Sequence, residues 1–118
     1  MSYIEGYVLA VPRANKDVYR DHAAKAFPYF SKLGATRMVE NWGDDVPDGK
    51  VTDFKRAVKA KDGETVMFGW VEWPSKDVRD AAWGKMMSDA RMQPNKTHPP
   101  LFDGQRMVYG GFTPIVDL

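Results

Sequence analysis

The chain contains no cysteine. Disulfides, thiolate nucleophiles and cysteine metal sites are therefore excluded together. An excess of charge of one sign is also missing. Lys and Arg number 17 against 16 Asp and Glu, for a formal net charge of +1. That balance makes no electrostatic case for nucleic acid or for an anionic membrane as partner. No apolar run approaches the ~20 residues of a membrane helix. The opening MSYIEGYVLAVP has no basic leader and carries Glu5 where a signal peptide would be apolar, so a cytoplasmic protein is expected. The two histidines, His22 and His98, are far apart, and no H-E-x-x-H spacing occurs. The acidic loop Asp44, Asp45 and Asp48 does not fit a calcium loop, because its third position is Val46 and its twelfth is Lys55. No Gly-rich phosphate loop precedes a helix, and no G-x-S-x-G elbow is present. Neither a metal nor a cofactor is expected.

What the chain does have is a core. Hydrophobic residues make up 43% of 118 positions, enough for one compact domain over 1–118. The organising stretch is Thr65 to Trp73, TVMFGWVEW, bounded by Asp62-Gly63 and Pro74-Ser75. It reads as a strand. Val66, Phe68 and Trp70 point one way; Met67, Val71 and Trp73 point the other. A strand apolar on both sides wants cover on both faces of its sheet.

The remaining elements fall around it. Tyr3 to Val11 is a first strand ended by Pro12, with Glu5 on the face of Tyr3, Tyr7 and Leu9. Asn15 is a candidate cap for a helix over about 16–33, with Val18, His22, Ala26, Phe30 and Leu33 on its inner stripe. Pro28 should kink or split that helix, and Gly34 should stop it. Ala35 to Trp42 is a second strand, with Thr36, Met38, Glu40 and Trp42 on one face. Residues 53–61 fit either a short helix carrying Phe54, Ala57 and Val58 inward or an edge strand. Ser75 caps a second long helix to about Met87, with Val78, Ala82 and Met86 inward. Asp89 to Gln105 is a Pro-rich loop, and Arg106 to Val116 is the last strand. The order β-α-β-β-α-β predicts an α+β fold of the ferredoxin-like plan, an antiparallel sheet with helices on one face. Helices on one side leave the other side bare, and a second copy of the chain is the economical cover.

Three blocks carry a family resemblance. They are Trp42-Gly43-Asp44-Asp45-Val46-Pro47-Asp48-Gly49-Lys50 with Thr52-Asp53-Phe54, then Trp70-Val71-Glu72-Trp73-Pro74-Ser75-Lys76 with Val78-Arg79-Asp80-Ala81, and Phe102-Asp103-Gly104 through Tyr109-Gly110-Gly111-Phe112. Together they resemble the small bacterial YbaA-like family of unknown function. The resemblance implies the dimeric α/β-barrel superfamily, in which two sheets close around a shared interior. That superfamily includes cofactor-free monooxygenases and ligand-binding regulators, so the resemblance implies a fold and a homodimer but no single activity.

Two constellations could carry chemistry. His22, on the inner helical stripe, could aim an imidazole suited to proton transfer at a cavity between helix and sheet; the plainer reading is a histidine bonded to a neighbour. Glu40 and Glu72 sit on strand faces that otherwise look buried, and each needs a partner, with Arg37, Arg56 or Arg106 available. Together with Trp42 and Trp70 they could form a polar spot in an aromatic pocket that orients a small ligand; the plainer reading is a strand-end ion pair or a contact fixing dimer register. The expected role is a homodimer binding a small, partly apolar molecule between sheet and helices. The alternatives are a cofactor-free monooxygenase or isomerase acting on an aromatic or acidic small molecule, with His22 handling the proton, Trp42 and Trp70 holding the ring and Arg37 or Arg56 steadying negative charge, or a purely structural or interaction protein.

Overall fold

The computed structural model describes residues 2–88 and 101–118. Four strands form one sheet: β1 (Tyr3–Pro12), β2 (Arg37–Trp42), β3 (Glu64–Trp73) and β4 (Val108–Phe112). Their spatial order is β2-β3-β1-β4, and every neighbouring pair is antiparallel. Helix α1 (Lys16–Lys32) connects β1 to β2, a short helix α2 (Phe54–Ala57) lies between β2 and β3, and α3 (Lys76–Met87) follows β3. Among the described residues no helix is long and apolar enough to cross a membrane.

The sheet has two unlike faces. Leu9, Val11, Met67, Val71 and Trp73 point toward α1 and α3 and are almost wholly buried, packed with Tyr19 and Ala23 of α1 and Ala82 of α3. The opposite face has cover at one end only. There the short helix and the residues after it bring Val58 and Ala60 onto Ala10 and Val66. Beyond that patch Phe68 is 44% exposed, Val108 49% and Phe112 59%.

Local chemistry accounts for the element ends, and several depart from expectation. Gly34 adopts φ +114° just after α1, a conformation that suits glycine and stops the helix. Asn15 makes no side-chain cap. A 3-10 turn over Arg13–Asn15 runs straight into α1, so Asn15 lacks the extended backbone a cap needs, and its amide donates to the carbonyl of Leu101 instead. Pro28 does not split α1, which continues to Lys32. Pro28 and Ala24, whose carbonyl loses its partner, are both on the exposed side where water can serve. Residues 54–57 are helix, with the Asp53 carboxylate accepting from the Arg56 amide at 2.7 Å. Only Val58 turns inward; Phe54 and Ala57 are exposed, and the Phe54 ring meets Phe68 edge-on at 6.3 Å. Ser75 caps α3 through the Val78 amide at 3.2 Å. The last strand is shorter than the expected 106–116. Its pairing with β1 ends at Phe112 opposite Ile4, and Pro114 beyond supplies no donor to extend it.

Arg106, offered by the sequence as a partner for Glu40 or Glu72, belongs elsewhere. Its guanidinium makes two 2.8 Å bonds to Glu64, one to the carbonyl of Lys59, and one of 3.0 Å to Asp103. The bonds from Arg106 hold the Glu64 carboxyl down at about 2. They tie the approach to β4 to the start of β3.

Candidate functional site

Strand register builds the site. Tyr7 of β1 lies opposite Gly69 of β3, and Gly69 lies opposite Glu40 of β2. The three are thus one row across the helix-facing side of the sheet. Strands are about 4.8 Å apart, so Tyr7 and Glu40 are separated by two strand spacings with a glycine between. The Tyr7 ring spans that gap and its hydroxyl donates to Glu40 Oε1 at 2.8 Å. A Cβ at position 69 would stand 2.6 Å from the Tyr7 ring and 2.7 Å from Glu40 Oε2. The glycine is therefore what lets the pair form. From above, Tyr19 of α1 donates its hydroxyl to Glu40 Oε2 at 3.3 Å.

One row along, Val71, Glu5 and Gly111 are aligned in the same way. Glu5 is only 6% exposed. Arg79 of α3 donates to it from Nε at 2.6 Å and from Nη2 at 3.4 Å, and the Trp83 indole donates at 2.8 Å. Gly111 again makes the room, since a side chain there would strike the Tyr3 hydroxyl and the Arg79 guanidinium. Arg79 also binds Asp80 and lies against the rings of Tyr3 and Trp83. Trp83 in turn stacks on Tyr109 at 5.9 Å.

Between these two carboxylates and the helices is a cavity of about 460 Å³. Leu9, Met38 and Val71 form part of its floor; Ala23, Ala26, Phe30, Trp83 and Met86 form part of its roof. The two acids differ in electrostatics. Glu5 has a guanidinium beside it, whose own pKa is raised by that bond. Among the described residues, Glu40 has two neutral hydroxyls as its donors. Burial raises its pKa, and the bonds from Tyr7 and Tyr19 oppose the rise only in part. Burial and the neighbouring Glu40 charge push both tyrosines well above the usual phenol range, so they stay protonated donors. The Trp73 indole N–H, in the same wall, is buried without a partner among the described residues.

The residues singled out from the sequence do not form one group. Glu40 is central to the cavity, but its partners are tyrosines rather than an arginine. His22 reaches the cavity margin and is exposed there, with no hydrogen bond to another described residue. Trp42 shares the helix-facing side but packs lower, beside the Leu9–Met67 cluster, with Lys16 5.8 Å above its ring. Trp70, Glu72 and Arg37 are on the opposite face. There Glu72 accepts from Trp70 at 2.9 Å and from Arg37 at 3.3 Å, with Arg37 largely in solvent. Trp42 and Trp70 therefore cannot hold one ring between them. Arg56 is spent on the loop below α2, bonded to the carbonyl of Gly49 and to Asp53. His98 falls outside the described residues. Tyr7, Tyr19, Glu5, Arg79 and Trp83 were missed. The available signal was a lone glycine inside an otherwise bulky strand, at position 69.

Comparison with known sequences assigns the chain to a family. A family model described as a protein of unknown function, DUF1428, matches residues 2–104. The chain belongs to the DUF1428 family. It is 59% identical over 117 residues to the uncharacterized protein YbaA of Escherichia coli strain K12, with 99% of each chain covered. The YbaA proteins of Escherichia coli O157:H7 and Shigella flexneri match at the same identity and coverage. DUF1428 carries no stated activity, so function has to be argued from the cavity.

The glycine argument is directly testable. Gly69→Ala should lower stability by about 1–3 kcal/mol in urea unfolding, through displacement of the Tyr7 ring and loss of its bond to Glu40. Gly84→Ala is the contrast. It lies on α3 with open space around its Cα, so it should gain about 0.5–1 kcal/mol. Equal effects at the two positions would contradict the packing described.

Proposed function

We propose that this DUF1428 protein binds a small, partly apolar molecule in the cavity between α1, α3 and the sheet. The observation that carries the reading is the combination found there: apolar and aromatic walls lining a half-open cavity of about 460 Å³, with one carboxylate, Glu40, held in place by two hydroxyls. Small-molecule sites have this form, mostly greasy with a few fixed polar groups. A catalytic version, a cofactor-free oxygenase or isomerase, would place the proton on Glu40. His22 is less suited, because it stands at the exposed rim.

The same reading extends to assembly. The strand order and the two helical crossovers fit the ferredoxin-like plan. Phe68, Val108 and Phe112 on the uncovered face, with Trp70 and Val39 beside them, favour a homodimer in which two sheets meet. Contact between the faces would remove apolar surface from water at roughly 25 cal/mol per Å².

Two measurements test these statements. Titration with 1-naphthol, a fused aromatic ring bearing one hydroxyl, should give a saturable change in tryptophan fluorescence. Ala26→Phe, which places a ring in the cavity, should weaken that binding by about tenfold or more. An unsaturable signal, or one indifferent to Ala26→Phe, would count against the cavity. For the dimer, the thermal midpoint should rise across a hundredfold range of protein concentration. A flat response with monomeric mass in sedimentation would remove it.

A further inference from the structure

The charge inventory of the cavity says more about its ligand. Glu5 is neutralised by Arg79. Arg79 cannot be released to an anion without uncovering that buried carboxylate, and its remaining amino group is taken by Asp80. The Trp83 N–H is committed to Glu5, and the hydroxyls of Tyr7 and Tyr19 are committed to Glu40. Among the described residues no lysine or arginine lines the cavity. What remains among the described residues is one carboxylate with no lysine or arginine beside it, with the His22 imidazole at the cavity rim. Each of its oxygens accepts a single hydroxyl, so lone pairs are left on both. Tyr7 and Tyr19 meet it with their hydroxyl ends.

We propose that the preferred ligand is an apolar amine, bound with its protonated nitrogen against Glu40 and its hydrocarbon body between Phe30, Val71 and Met86. This rests on the cavity being a ligand site at all. An ammonium group would supply the counter-charge that the protein withholds from Glu40, through a charge-assisted hydrogen bond. A neutral alcohol of the same shape forms one ordinary hydrogen bond. A carboxylate of the same shape brings a second negative charge into a low-dielectric space that already holds an unneutralised one.

The test uses the full chain and three ligands with the same body, 4-phenylbutylamine, 4-phenylbutan-1-ol and 4-phenylbutyrate, titrated calorimetrically near neutral pH. The amine should bind about tenfold tighter than the alcohol, the difference between a charged and a neutral hydrogen bond. The acid should give no measurable heat. In Glu40→Gln the amine's advantage over the alcohol should disappear. An amine no tighter than the alcohol or the acid, or an advantage that survives Glu40→Gln, overturns the inference while leaving the cavity as a site. Binding of none of the three, with 1-naphthol also inert, overturns both. Circular dichroism checks that Glu40→Gln is folded; if it is not, the wild-type ranking decides alone.

Discussion

A carboxylate set into an apolar wall is costly unless donors reach it, and the helix-facing side of this sheet holds two. Most of the interior is arranged around meeting that requirement. Each acid has a glycine beside it on the neighbouring strand, Gly69 for Glu40 and Gly111 for Glu5. In each case the missing side chain makes space for the donor, a tyrosine ring in one row and a guanidinium in the other. The helices are positioned by the same need. Tyr19 brings α1 down onto Glu40, and Arg79 with Trp83 brings α3 down onto Glu5. Because these donors stand up from the floor and reach down from the roof, the layers between them are not fully filled, and a cavity is left.

The asymmetry of the two acids is what turns that cavity into a candidate site. Glu5 has a full cation and behaves as a structural pair, a buried bridge with excellent geometry. Glu40 has hydroxyls only. Holding an acid this way fixes its orientation without cancelling its charge, an arrangement suited to a group that meets something from outside. The exposed aromatics Phe68 and Phe112 stand on the far face of the sheet, away from this cavity.

Much of the architecture was legible in the residues. The apolar character of Thr65–Trp73 on both sides, the caps at Asp53 and Ser75 and the stop at Gly34 all correspond to local rules that the chain obeys. The site was legible only at Glu40. Its partners could not be read because they depend on register: Tyr7 meets Glu40 only when Gly69 separates them, and no local pattern fixes which residues of three strands align. Arginines looked like the natural partners for buried acids, yet Arg37 emerges on the other face and Arg56, on α2, is bonded to Gly49 and Asp53. Trp42 and Trp70 look like a pair in sequence, but opposite pleat positions separate them. His22 does line the cavity, but from its exposed rim, because the buried row of α1 is centred on Tyr19 and Ala23.

The central feature of the site is Glu40, a largely buried acid held by two tyrosines. Carbon-13 NMR of the glutamate side-chain carboxyls, assigned by Glu40→Gln, reads it directly. The account predicts a Glu40 midpoint above the ordinary value of 4.5, moving higher still in Tyr19→Phe, where a donor to the ionised form is lost. A midpoint at or below 4.5, unmoved by Tyr19→Phe, would mean that Glu40 is solvated and not held by the two tyrosines.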